Sequence, residues 1–219
     1  MRIFAMSDLH LSEASGKPMD VFGSRWEHHT EKMKKNWDDL LNEDDAIIIS
    51  GDVSWGLKLE EAMADLQWIH ERPGKKYITR GNHDLWWSSL TKINSLFDDI
   101  IFIQNGCAVD GETVICGTRG WNLKLNNPEW TEHDEKIYRR EQIRLKMALE
   151  AAKETGASRM ILSLHYPPTD YRGSDTAFSE IIEQYQPDIV LYGHLHGEEA
   201  AKHAFNGKKK RDSIQIGIV

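Results

Sequence analysis

Residues 46–52 read AIIISGD, a short run of isoleucines closed by Gly51 and Asp52. β-Branched residues in a brief apolar stretch, ended by a turn-forming glycine, are the pattern of a buried strand. The acid behind it stands where that strand stops. The same arrangement recurs along the chain. RIFAM precedes Asp8-Leu9-His10, KKYIT precedes Gly81-Asn82-His83-Asp84, MILSL precedes His165, and DIVLY precedes Gly193-His194-Leu195-His196. Ligands of open α/β sheets gather beyond the carboxyl ends of the strands. Polar clusters at so many strand ends are therefore expected to converge on one site.

Between these runs the pattern turns helical. Leu59, Ala62, Met63, Leu66 and Ile69 recur at helical spacing within 59–71, and Pro73-Gly74 ends that helix. Further helices are expected over 26–41, 85–97, 131–155 and 176–185. The middle of the chain differs: 100–104, 107–109 and 113–117 read as consecutive strands with tight turns, hence antiparallel neighbours. A terminal strand at 214–218 is expected to close a sheet edge. With no repeat or linker, the chain reads as an α/β protein forming one domain over 1–219.

Composition narrows the function. The 219 residues are 40% hydrophobic and 28% charged, ordinary for a soluble globular protein. No apolar run approaches the ~20 residues that span a bilayer. MRIFAMSDLH lacks the regions of a signal peptide and reads as the first core strand, so the cytoplasm is the expected location. A net charge of -8 argues against a broad electrostatic grip on nucleic acid. The basic run Lys208-Lys209-Lys210-Arg211 reads as a solvated tail or hairpin tip rather than a phosphate patch. Cys107 and Cys116 flank a hairpin turning near Asp110-Gly111 and are expected to be reduced packing residues.

The polar clusters supply carboxylate and imidazole together, a donor set that suits manganese, iron or zinc. In Asp8-X-His10 and His194-X-His196 both ligands fall on one side of an extended segment. Asp52 has two oxygens and is the natural bridge of a metal pair. Asn82 offers a carbonyl oxygen and His165 an imidazole. By contrast His28, His29, His70, His133 and His203 read as solvated side chains.

The order Asp-X-His, Gly-Asp, Gly-Asn-His-Asp, His, Gly-His-X-His, from Asp8 to His196, resembles the calcineurin-like metallophosphoesterase superfamily, as a bacterial-type small phosphohydrolase. The resemblance implies a four-layer αββα sandwich of two mixed β-sheets flanked by helices. It also implies Asp8, His10 and His196 on one metal, Asn82, His165 and His194 on the other, and Asp52 bridging. The activity so implied is attack of a metal-bridging hydroxide on phosphorus. His83, beside ligand Asn82, is placed to protonate the leaving oxygen. Asp84 either holds that imidazole or caps a helix starting at Leu85-Trp86. Arg80 either takes a phosphate oxygen or forms a structural salt bridge.

Trp55, Trp86, Trp87, Trp121, Tyr166 and Tyr171 cluster near the motif loops, some as core and others as a pocket wall. Arg119-Gly120-Trp121-Asn122 either reaches the same face or is a buried Trp beside a salt-bridged Arg. A small phosphomonoester or phosphodiester is the expected substrate. The alternatives are the superfamily's nuclease branch, a cyclic-nucleotide phosphodiesterase, a phosphoprotein phosphatase, or a non-enzymatic binding module.

Overall fold

A computed structural model of the chain describes residues 1–124, 128–196, 202, 204–209 and 214–219. The chain forms two compact units, Met1–Phe102 and Ile103–Val219. The first is built on strands β1 (Ile3–Met6), β2 (Ala46–Ser50), β3 (Lys75–Thr79) and β4 (Ile100–Ile103), in that order across the sheet. β1, β2 and β3 pair in parallel, with Met6 opposite Ile49 and Ile49 opposite Ile78. Parallel neighbours need a crossover, and α1 (His29–Leu40) and α2 (Leu59–His70) supply it. Every residue of β2 is buried, which is why its sequence is continuously apolar rather than alternating. Ile47 and Ile49 pack in one cluster with Trp37 of α1 and Ala62, Leu66 and Ile69 of α2.

Gly74 ends the α2 segment with φ at +86°, and a Cβ there would lie 2.7 Å from the Asp45 carbonyl oxygen. Only glycine allows the chain to turn into β3 so close to its neighbour. Asp45 itself anchors the start of β2. Its carboxylate accepts from the Arg2 guanidinium and from the amides of Arg2 and Asn42, which holds it well below the usual carboxylate range.

The second unit carries β5 (Gly106–Asp110), β6 (Thr113–Thr118), β7 (Arg159–Leu164), β8 (Ile189–Tyr192), β9 (Gly207–Lys209) and β10 (Ile214–Ile218). Their order is β5-β6-β7-β8-β10-β9. β6, β7, β8 and β10 are parallel, and β5 and β9 are antiparallel edges. α4 (Glu132–Glu154) leads into β7 and α5 (Ala177–Tyr185) into β8. Both helices start with a reciprocal capping box, Thr131 with Asp134 and Thr176 with Ser179, which satisfies amide donors that the first turn leaves open. Leu145 and Leu149 of α4, Phe178 and Ile182 of α5, and Leu162, Val190 and Ile216 of the sheet form its core. Two sheets with their own helices are the α/β class expected from the sequence. Among the described residues no helix is long and apolar enough to cross a membrane.

Several expectations change. The helix expected over 26–41 starts only at His29, after two 3-10 turns at Met19–Phe22 and Ser24–Trp26. Instead of a helix over 85–97, only α3 (Leu90–Ile93) forms, capped by the Ser89 hydroxyl. Trp86 and Trp87 are buried instead, so local turns displace the helix there. β4 joins the first sheet, not the hairpin that follows it, because it pairs beyond β3. β10 lies inside its sheet, with β9 as the edge. Cys107 and Cys116 face each other in register across the β5–β6 hairpin as free thiols, and burial pushes the Cys116 thiol up. Of the basic run, Lys208 and Lys209 fall in β9, while Lys210, Arg211 and also His203 lie outside the described residues.

Candidate metal centre

The first unit brings its motif residues together at the carboxyl ends of β1, β2 and β3. The chain beyond β1 continues beside the chain beyond β2. The Asp8 amide donates to Gly51 O at 3.0 Å, His10 to Asp52 O at 3.0 Å, and Leu11 to Val53 O at 2.9 Å. These backbone bonds, made with Asp8, His10 and Asp52 off the extended conformation expected of Asp8-X-His10, set the acid and the imidazole of one loop against the acid of the next. Asp8 Oδ1 lies 3.7 Å from His10 Nε2, and His10 Nε2 lies 3.9 Å from Asp52 Oδ2. All three side chains are buried. Ligand atoms ~2.0–2.2 Å from one cation are separated by roughly 3–4 Å, so this spacing suits a shared ion. Two buried carboxylates beside an imidazole need a compensating positive charge. The residues therefore fit a divalent metal.

Each donor is aimed by its surroundings. The Ser7 hydroxyl donates to Asp8 Oδ2 at 2.5 Å. The His83 amide donates to Asp52 Oδ1 at 2.8 Å, which leaves Oδ2 on the His10 side. Gly81 has a specific reason to be glycine. A Cβ at this position would lie 2.1 Å from Asp52 Oδ1 and 2.2 Å from the Asp52 amide nitrogen. Sequence reading missed this contact, because nothing in Gly-Asn-His-Asp says what the glycine touches.

Asp84 is fully buried, and the hydrogen bonds described for its carboxylate run chiefly to backbone. Oδ2 accepts from the amides of Gly81 at 2.7 Å and Asp52 at 3.0 Å. Oδ1 accepts from Val53 at 2.9 Å, Ser54 at 3.4 Å and Trp86 Nε1 at 3.1 Å. Asp84 thus ties the loop after β3 to the loop after β2. It caps no helix at Leu85-Trp86, since none forms there. Arg80 Nε donates to the Asp84 carbonyl at 3.3 Å. Ser54 in turn donates to Asp65 of α2, which also accepts from the Glu13 amide at 2.9 Å. Burial pushes the Asp65 carboxyl up, and these two donors oppose that shift.

Strain marks the same positions. Asp8, His10 and Asp52 have φ of 54°, 46° and 53°, and His194 has 71°. Left-handed backbone costs a non-glycine residue about 1–2 kcal/mol, and such strain persists where the surroundings over-determine it. Aromatic rings then pack on the imidazoles. The Trp55 indole stacks on His10 at 4.9 Å and meets His83 at 4.5 Å, and Trp26 meets His10 at 5.8 Å. His29, read from sequence as solvated, is instead half-buried, with ring nitrogens 3.2 Å from the carbonyls of Trp26 and Leu9. His70, read the same way, pairs with Asp99 at 2.6 Å.

The second unit holds His165 beyond β7 and His194 and His196 beyond β8. The His165 amide donates to Arg119 O at 3.1 Å, and Gly193 donates to His165 O at 3.1 Å. The His165 and His194 rings meet edge-on, 5.1 Å between centroids, and Tyr166 packs on His194 at 4.3 Å. His165 is fully buried, whereas His196 is exposed. Arg119 lies 3.8 Å from the buried Glu141 of α4 and over the Trp121 ring at 4.8 Å. The salt-bridged Arg anticipated as one alternative is therefore present. Tyr171 is exposed.

The model of one protein family, calcineurin-like phosphoesterase, matches residues 1–198. This chain belongs to that family. Two phage proteins are similar to it. The gene 66 protein of Mycobacterium phage D29 is 32% identical over 198 residues, 89% of this chain and 78% of that protein. The gene 66 protein of Mycobacterium phage L5 is 36% identical over 78 residues, 36% of this chain and only 37% of the phage protein. Among solved structures, the protein of unknown function AQ665 from Aquifex aeolicus gives a TM-score of 0.47 at 15% identity, covering 90% of this chain and 81% of that one.

Two substitutions test the geometry. Gly81→Ala is expected to displace the Asp52 carboxylate and weaken manganese binding at least ~10-fold, the range seen when groups that orient ligands are lost, as read by calorimetric titration. Asp84→Asn turns an NH2 group toward backbone donors. It is expected to cost roughly 3 kcal/mol or more, since hydrogen bonds to a charged group are worth ~1.5–3 kcal/mol each, as measured by urea denaturation without added metal.

Proposed function

We propose that the chain is a metal-dependent phosphoesterase that hydrolyses a small phosphomonoester or phosphodiester. The observation that carries this reading is the buried group of Asp8, His10 and Asp52, with donor atoms 3.7 and 3.9 Å apart, in a chain of this family. On the division of ligands that the motif order implies, Asp8, His10 and His196 would hold one divalent cation and Asn82, His165 and His194 a second, with Asp52 shared. Carboxylate mixed with imidazole favours manganese, iron or zinc. A bound pair would supply an activated water and offset charge on the phosphoryl oxygens.

The chain's own residues supply the rest. His83 donates a proton to the leaving oxygen, and the hydrogen bond that its backbone amide donates to Asp52 Oδ1 ties it to a proposed metal ligand. Arg80 offers a guanidinium whose planar fork suits a phosphate oxygen. Asp84 acts through the backbone it holds, and an additional bond to the His83 imidazole would orient the acid as well. The net charge of -8 disfavours long nucleic acid, whose many phosphates need a basic stripe.

A hydrolysis screen over mononucleotides, cyclic nucleotides, diesters, phosphopeptides and duplex DNA, with each metal added in turn, tests the substrate class. Turnover of small esters is expected, with weak or no cleavage of DNA. Degradation of duplex DNA at physiological salt, faster than any small ester, would move the protein to the nuclease branch. For His83, replacement by Ala is expected to keep the metal and lose ~10²–10⁴-fold in rate. The loss should be much smaller for p-nitrophenyl esters, whose leaving group needs little protonation. Equal losses for alkyl and nitrophenyl esters contradict the acid role.

A further inference from the structure

We propose that Trp55 is a positioning residue that fixes the His83 ring for proton donation, an inference that rests on the acid role given to His83 above. An anchored backbone does not orient an imidazole, because the terminal torsion of a histidine is broad and set by packing. Trp55 provides that packing. Its indole lies 4.5 Å from the His83 ring at 54° and 4.9 Å from the His10 ring at 24°, and the two imidazoles are themselves 5.7 Å apart. The three rings form a closed triangle. His10 is fixed by its place among the carboxylates, so an indole stacked on it passes that constraint to His83.

The indole is itself held on several sides. Its Nε1 donates to Met19 Sδ at 3.2 Å, its backbone amide donates to Leu11 O at 2.9 Å, and the Lys17 ammonium sits 5.2 Å from the ring centre. Trp55 also directly follows the Asp52–Ser54 segment whose amides Asp84 binds. One loop therefore delivers both the Asp52 carboxylate and the ring that orients the acid. Trp55 has no proton to give to a leaving group at neutral pH, so its effect on proton donation runs through His83, and an effect through His10 would instead change the bound zinc.

The test compares Trp55→Leu, Trp55→Phe and His83→Ala in zinc-loaded protein, on an alkyl phosphate and on p-nitrophenyl phosphate. Trp55→Leu is expected to lower kcat on the alkyl ester roughly 10–100-fold, as a misplaced catalytic group does. KM and bound zinc should stay unchanged, and the loss on the nitrophenyl ester should be several-fold smaller. Trp55→Phe keeps a flat ring and is expected to recover most of the rate. In metal-free protein, the His83 Cε1 proton should lose its ring-current shift in Trp55→Leu by NMR. Met19→Leu, which keeps volume but removes the sulfur acceptor, should show the same selectivity more weakly, and it serves if Trp55→Leu fails to fold. Equal losses on both esters, or losses that track zinc content, overturn the proposal. Unchanged kcat in Trp55→Leu overturns it too. If His83→Ala itself shows no dependence on leaving group, the acid reading fails and this inference falls with it. If His83→Ala shows that dependence and Trp55→Leu does not, only the role of Trp55 is lost.

Discussion

The candidate ligand loops of the first unit hang on a single buried carboxylate. Asp84 accepts four backbone amides, from Gly81, Asp52, Val53 and Ser54, and the Trp86 indole as well. Burying an ionised group without partners costs several kcal/mol, so this position is tolerable only with such a set of donors. The donors in turn belong to the two loops that carry Asp52, Asn82 and His83. A charge that must find partners and loops that must find a shape meet each other's needs. The segment at Leu85-Trp86 gives up its helix in the process: Trp86 turns inward to reach the same carboxylate.

Strain is the counterpart of that rigidity. Asp8, His10 and Asp52 hold left-handed backbone, a conformation none of them would choose alone. It places two carboxylates and an imidazole so that their donor atoms converge instead of following the alternation of a strand. Without a cation, converging carboxylates repel, so the arrangement makes chemical sense as a preorganised ligand set. Gly81 belongs to the same economy of space, since the atoms a side chain would need are already those of Asp52.

An aromatic layer covers these candidate ligands. Trp26 and Trp55 flank His10, and Trp55 reaches His83. Rings of this size exclude water and lower the local dielectric, which strengthens every charge interaction beneath them. In the second unit Tyr166 packs against both His165 and His194. His10, His83, His165 and His194 thus each touch a neighbouring aromatic ring.

Much of this was legible in the chain itself. Buried parallel strands need continuous apolar residues, so AIIIS, KKYIT and MILSL announced β2, β3 and β7, and the polar residues behind them marked the candidate ligands. Helical spacing located α2 and α4 closely for the same reason: periodicity is local. What the sequence did not carry is everything decided by contacts between distant segments. The sheet joined by β4 and the inward place of β10 depend on pairing partners far along the chain. The lost helix after Asp84, the glycine forced by Asp52 and the indole between two imidazoles depend on which atoms meet, and no local pattern encodes a meeting. Sequence determined which residues stand at the strand ends, because strand burial is written in neighbouring residues. Tertiary structure alone decided how they are held, because a buried carboxylate takes whatever donors the fold brings to it.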